Sequence, residues 1–246
     1  MKFALKNNSL ISRSALVLLT LLLSACAAKQ PLSAPEIDPW EPMNRSIFKF
    51  NAGFDKLLYK PISSGYNKVV PGPVKEVVGN MLDNLAYPGT IINLLLQGRF
   101  RDAWTGTKRF VVNSTIGIFG ALDVASSAEI PLHNEDFGQT LAVWGWDNSR
   151  YLMLPFFGPS TIRDATGRTG NSYLEPVSYL AAQKNIWPPW LLEKAHVRIQ
   201  LLEQEELIES SNDAYILIRD VWLQNREFEI YNGDPPLPDY EALLEE

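Results

Sequence analysis

Apolar residues in this chain recur mostly at helical spacing. Ile47, Phe50, Phe54, Leu57 and Leu58 form one stripe, which Pro61 is expected to end. Before it, Asp38-Pro39-Trp40-Glu41 has the composition of a capped helix start, with Pro42 expected to kink or break the helix early. Pro71-Gly72-Pro73 opens a second stripe of Val74, Val77, Val78, Met81, Leu82 and Leu85. A further helix is expected over 101–112. Leu192, Ala195, Ile199 and Leu202 mark a long one, and Tyr215, Ile218 and Trp222 another. Strand-like alternation is scarce and no repeat is visible. The fold class expected is mainly α, a single domain over residues 38–231.

Four stretches break the pattern, since residues 84–98, 110–122, 137–146 and 151–162 carry no charge at all. Each is too short to cross a bilayer, which takes roughly 20 apolar residues, and each is interrupted by Gly or Pro. Any one of them is as well explained by a buried core. Together they suit a domain lying within one leaflet, apolar outside as well as inside. Trp104, Trp144, Trp146, Trp187 and Trp190 are then candidates for the headgroup level.

The first residues set the compartment. Lys2, Lys6 and Arg13 precede an apolar run over 15–23 that ends in Leu23-Ser24-Ala25-Cys26. This is a secretory signal over residues 1–25, resembling a lipoprotein signal whose cysteine, Cys26, receives acyl chains. The residue after it is Ala27 and not the Asp that in such lipoproteins favours retention at the inner membrane. Residues 26–37 form an acylated, Pro-containing linker whose reach is at most roughly 40 Å, so the domain must work against the membrane that anchors it. Residues 232–246 are acidic and Pro-rich, and a disordered tail is expected there. Cys26 is the chain's single cysteine, so no disulfide can stabilise it.

The leader holds three of the chain's 22 basic residues and none of its 28 acidic ones, so the formal charge of −6 becomes −9 on cleavage. Such a balance argues against nucleic acid as a partner. Catalytic chemistry leaves little trace. His133 and His196 are the chain's two histidines. No Gly-x-Ser-x-Gly elbow or phosphate-binding loop is present. His133-Asn134-Glu135 is half of a zinc-deaminase signature without its cysteines. The acidic pairs Glu135/Asp136 and Glu205/Glu206 read as solvated. No catalytic residue, metal or cofactor is expected, which leaves binding or conduction.

Five ordered segments resemble the MlaA family of lipoproteins, also called VacJ. They are Asp38-Pro39-Trp40-Glu41-Pro42-Met43-Asn44-Arg45, the stretch 110–120 around Asn113-Ser114-Thr115-Ile116-Gly117, Glu135-Asp136-Phe137-Gly138-Gln139-Thr140-Leu141, the stretch 154–164 and the helix start at 210–219. The resemblance covers about residues 38–228. It implies a ring-shaped helical domain in the inner leaflet of the outer membrane, on its periplasmic face, with an amphipathic central pore. It implies phospholipid as cargo, a porin trimer as membrane partner and a periplasmic phospholipid-binding protein as acceptor. Phe137, Gly138, Leu141, Val143, Trp144 and Gly145 are the expected wall or gate of the lipid path, with Gly138 and Gly145 supplying unusual backbone angles. Arg150, Arg163 and Asp164 are candidates for its rim or for headgroup contact, an ion pair or cap being the equal alternative for Arg163 and Asp164. Relatives are richer in glycine where this chain reads Val143-Trp144-Gly145-Trp146. A structural envelope lipoprotein acting as a scaffold is the alternative function.

Overall fold

The computed structural model describes residues 34–174, 198–199 and 205–236. The leader, Cys26, Trp187, Trp190, His196, most of the helix expected at 192–202 and the tail beyond 236 lie outside the described residues. The described elements are α1 (Ala34–Ile37), α2 (Glu41–Phe54), a π-helical stretch (Asp55–Tyr59), α3 (Lys60–Val69), α4 (Gly72–Leu96), α5 (Phe100–Thr115), α6 (Val124–Ser127) and α7 (Phe137–Val143). The strands β1 (Tyr151–Leu154) and β2 (Gly158–Thr161) follow, then α8 (Ile162–Leu174), α9 (Glu205–Glu209) and α10 (Ala214–Ile230). The fold is mainly α, as the spacing implies.

Neither Pro42, expected to kink or break the helix that starts at residue 38, nor Pro61, expected to end the first stripe, interrupts a helix. Pro42 sits within the first two positions of α2, where its missing N–H costs nothing. Pro61 holds the equivalent place in α3, because the widened π-helical turn ahead of it makes a fresh helix start. Asp38 does not cap α2 through its side chain either. Its main-chain oxygen accepts from the Glu41 N–H at 3.2 Å, while its carboxylate is turned inward.

Two asparagines two turns apart on α2 fasten the helix to the β-hairpin. Asn44 is fully buried; its amide nitrogen donates to Tyr151 O at 3.4 Å and to Asp38 Oδ1 at 2.8 Å, while its oxygen accepts from the Met153 N–H at 2.9 Å. Asn51 repeats this at the turn, donating to Leu154 O and accepting from the Phe156 N–H, both at 2.9 Å. The helix thus occupies the free edge of β1, while β2 pairs antiparallel on its other edge with Tyr151 opposite Thr161. Alternate β1 residues, Tyr151 and Met153, join Tyr215 of α10 in a small core packed by Ile47, Phe48, Ile216, Trp222 and Leu223.

The hairpin α4–α5 turns at Gly98, whose φ of +77° is the left-handed conformation that glycine adopts freely. In α5, a Cβ on Gly106 would lie 3.4 Å from Tyr87 and Ile91, so the helices approach closely there. Pro88 lies inside α4, which nonetheless runs 25 residues. No described helix is long and apolar enough to cross a membrane.

Candidate lipid-handling segment and the polar knot beneath it

The segment 137–146 is one short helix, α7, with a left-handed exit. Asp136 caps it: its Oδ1 accepts from the Gln139 N–H at 2.9 Å and Gln139 Oε1 accepts from the Asp136 N–H at 2.8 Å. Gly145 follows with φ +104°, the unusual angle expected of it. Gly138 is different, because it lies within the helix and is needed for space. A Cβ there would overlap the Asp164 carboxylate and the Arg226 guanidinium. From the other side, Gly167 of α8 lets its backbone meet that of Gly138.

One face of α7 is buried and the other is open. Gly138, Gln139, Thr140 and Ala142 are buried, Phe137 and Leu141 are half-buried, and Val143 and Trp144 are about half exposed at 51% and 54%. The Trp144 indole donates to Leu96 O at 3.0 Å and stands edge-on to Phe137 at 5.8 Å. The apolar end of α7 is therefore tied to the end of α4.

Beneath α7 lies a knot of charged and amide side chains. Arg226 of α10 donates to Asp136 Oδ1 at 2.7 Å, to Asp164 Oδ1 at 2.8 Å and to Glu229 at 2.9 Å. Asp164 also accepts from Arg163 at 3.1 Å and from the Thr161 hydroxyl at 2.7 Å. Burial pushes the Asp164 carboxyl up, but Arg226, Arg163 and the Thr161 hydroxyl overcome that and hold it below the usual carboxylate value. Thr140 donates to Asn93 Oδ1 at 2.8 Å, and Asn93 donates in turn to Asn171. Glu135 is buried and paired with Arg99 and Gln97. The knot joins α4, α7, α8 and α10.

Several expected roles change accordingly. Arg163 and Asp164 are buried at 2% and 5% exposure and bound to each other, so they stand inside the fold and not at a headgroup rim. The Arg163 guanidinium instead donates to the main-chain oxygens of Trp146 and Asp147, fixing the exit of the α7 segment. Glu135 is buried and not solvated, whereas Asp136 keeps part of its side chain exposed while it pairs with Arg226. Glu205 pairs with Lys60 and Arg198 at 2.7 and 3.4 Å. Arg150 is exposed and remains available to a rim. Trp104, Trp144 and Trp146 are exposed. His133 is half-buried beside Asp102, and its main-chain N–H donates to the Tyr87 hydroxyl at 3.3 Å.

Arg226 and Arg219 went unnoticed in the sequence, although their spacing of two helical turns puts them on one face of α10. Arg219 and the Tyr215 hydroxyl both donate to Asp38 Oδ2, at 3.3 and 2.6 Å. Arg45 holds Asp213, the cap of α10, through two bonds of 3.1 and 2.7 Å, and lies over the Tyr215 ring. Asp123 binds Arg109 and Asn113 and caps α6.

The exterior is unlike this interior. Leu57, Val69, Phe100, Trp104, Ile116, Phe119 and Leu132 are all exposed, whereas among the described residues buried polar and charged side chains outnumber buried hydrophobic ones. Soluble domains are built the other way round. A mainly helical domain with a hydrogen-bonded polar interior and a broad apolar exterior is the class of protein this fold defines.

A model of the family described as MlaA lipoprotein matches residues 36–229. The chain is 33% identical over 228 residues to the intermembrane phospholipid transport system lipoprotein MlaA of Escherichia coli K12, covering 89% of this chain and 88% of that one. It is 32% identical to the protein of the same name from Haemophilus influenzae, over 80% of each chain. A solved structure reported under "Structural basis for maintenance of bacterial outer membrane lipid asymmetry" superposes with a TM-score of 0.69 at 30% identity, covering 78% of this chain and 98% of that one. The chain belongs to the MlaA lipoprotein family.

Proposed function

We propose that this protein is an outer-membrane lipoprotein that removes phospholipid from the outer leaflet and passes it to a periplasmic phospholipid-binding protein, maintaining lipid asymmetry. Its relatives are named for intermembrane phospholipid transport across most of the same length. The observation that carries the reading is the inversion of polarity. A domain with charged groups inside and Leu57, Val69 and Phe119 outside is suited to hydrocarbon surroundings. Acyl chains on Cys26 anchor it, and it lies within the inner leaflet, on the periplasmic face, as a ring around an amphipathic pore. A porin trimer is its membrane partner.

A phospholipid presents two incompatible ends. Its headgroup cannot cross hydrocarbon cheaply, while an acyl chain loses roughly 0.8 kcal/mol per methylene taken into water. A passage must therefore offer apolar and polar walls together. Segment 137–146 does so, with Val143 and Trp144 outward, the polar knot behind and Arg150 beyond its exit. We assign Phe137, Leu141, Val143, Trp144 and Gly145 to the wall or gate of the lipid path.

The test is phospholipid accessible at the surface of cells lacking this protein. The expected result is a rise that the intact chain reverses. Unchanged surface phospholipid in the deleted strain would remove the proposal.

A further inference from the structure

An open cleft of about 450 Å³ lies between α4 and α5, lined by Met81, Leu82, Leu85, Phe110 and Phe119 among others. Its size is that of a ligand site. No charged residue lines it, and its two polar walls, Asn84 and Ser114, satisfy one another through a bond of 3.0 Å. Behind Asn84 the surroundings change. The same side chain also lines a small hollow with Asn80, Tyr87, Arg109, Asn113 and Asp123. The cleft thus ends against hydrogen-bonding groups.

The mouth is built at a cost in backbone strain. Ile118, Phe119 and Gly120 follow one another at φ +54°, +57° and +88°. Left-handed geometry is uncommon for Phe and an outlier for β-branched Ile. Main-chain bonds from Phe119 to Ser114 O at 3.0 Å and from Gly120 to Asn113 O at 2.8 Å hold the loop over the end of α5. Gly120 lies so close to Asn84 that any Cβ would overlap it. The outcome is a Phe119 ring that is 77% exposed and still forms one side of the cleft. Strain kept in this way points to use.

We propose that this cleft holds one acyl chain of a phospholipid, with Phe119 as the wall at its mouth, as a subsite separate from segment 137–146. Uncharged walls offer a headgroup nothing, whereas hydrocarbon fits them. An apolar channel ending at polar groups matches a molecule that is apolar along its length and polar at one end. The proposal rests on the phospholipid reading above.

The test uses the full-length protein in detergent with a phosphatidylethanolamine carrying a diazirine midway along one acyl chain. After photolysis, adducts are mapped by peptide mass spectrometry. Adducts are expected at Met81, Leu82, Leu85 or Phe119. They should fall roughly tenfold with excess unlabelled phospholipid, and as much in Met81→Trp, which fills the cleft, while adducts at Val143 and Trp144 persist. Leu85→Trp replaces Met81→Trp if the latter's melting temperature drops. Adducts confined to residues 137–146 would overturn the subsite and leave phospholipid transport standing. Labelling spread evenly over Leu57, Val69 and the cleft, insensitive to competitor and to the filling variant, would reduce the cleft to membrane-facing surface and overturn the subsite also. An absence of adducts anywhere would overturn both readings.

Discussion

Asn44 shows how much of this fold hangs on single amide groups. It closes a three-way junction between the Asp38 carboxylate, the Tyr151 carbonyl and the Met153 N–H. Replacing it by Ala leaves those buried groups unmatched, each at about 1–3 kcal/mol. Asn44→Ala should therefore destabilise the domain by roughly 2–5 kcal/mol in denaturant unfolding monitored by circular dichroism. The two core tyrosines should respond in opposite ways. Tyr215 donates to Asp38, whereas the buried Tyr151 hydroxyl has no partner among the described residues. Tyr215→Phe should lower the melting temperature, and Tyr151→Phe should leave it unchanged or raise it. Equal losses in both would show that the Tyr151 hydroxyl is paired. The motif from Asp38 to Arg45 stood out in the sequence, but its reason did not. Asp38, Asn44 and Arg45 each also serve partners more than 100 residues away, and no local spacing reports them.

At the scale of elements, the start of α10 ties stability to pH. Arg45, together with the main-chain N–H of Ile216, holds the Asp213 carboxyl at about 2 instead of its ordinary 3.8. A folded-state value below the unfolded one adds stability that is complete above the unfolded value and is lost as pH falls through the folded one. Stability from this cap should thus hold above pH 5 and decline between about pH 4 and 2. Asp213→Asn keeps a capping side chain but should flatten that decline in acid unfolding curves. An unaltered acid slope would remove the Arg45 pairing as its source. For α7 the relevant measurement is transport. Val143 is half exposed, so Val143→Asp should keep the wild-type melting temperature while opposing passage of acyl chains, since an unpaired charge in hydrocarbon costs at least about 2.5 kcal/mol. Accumulated surface phospholipid is the expected outcome, and normal surface lipid at normal protein level would clear segment 137–146 of a role. The positions of α2, α4, α5 and α10 were readable from apolar spacing because that period is local, whereas the helical course of α7 and α8 was not. The survival of helices past Pro42 and Pro61 was not, since it depends on where each helix begins.

Over the whole molecule, the apolar exterior and the proposed acyl anchor bear on one question, how the domain holds to a membrane. No described helix is able to span a membrane, and on the proposed reading the domain is held by acyl chains on Cys26 together with its exposed apolar faces. Cys26→Ala should give an unprocessed or mislocalised protein that fails to restore outer-membrane lipid asymmetry. Some membrane association should persist through the apolar faces. Full outer-membrane fractionation with normal barrier function would sink the lipidation reading. The four uncharged stretches illustrate the difference of scale. That at 151–162 contributes Tyr151 and Met153 to the core, while those at 110–122 and 137–146 bring Phe119 and Val143 to the surface. Composition made them look alike, and packing separated them.

The sequence by itself determined the helical class and the family motifs, and it shows a leader-like run ahead of Cys26 and no familiar catalytic signature. All of these are written in contiguous residues or in a 3.6-residue period. Only the tertiary structure decided which charges face inward. Asp136, Asp164 and Arg226 are far apart in the chain, and no local spacing reports that they meet. Once they are brought together, Arg226 bridges the two carboxylates at 2.7 and 2.8 Å while Arg163 supplies Asp164 with a second cation at 3.1 Å, and that pairing is what lets a polar interior carry an apolar exterior.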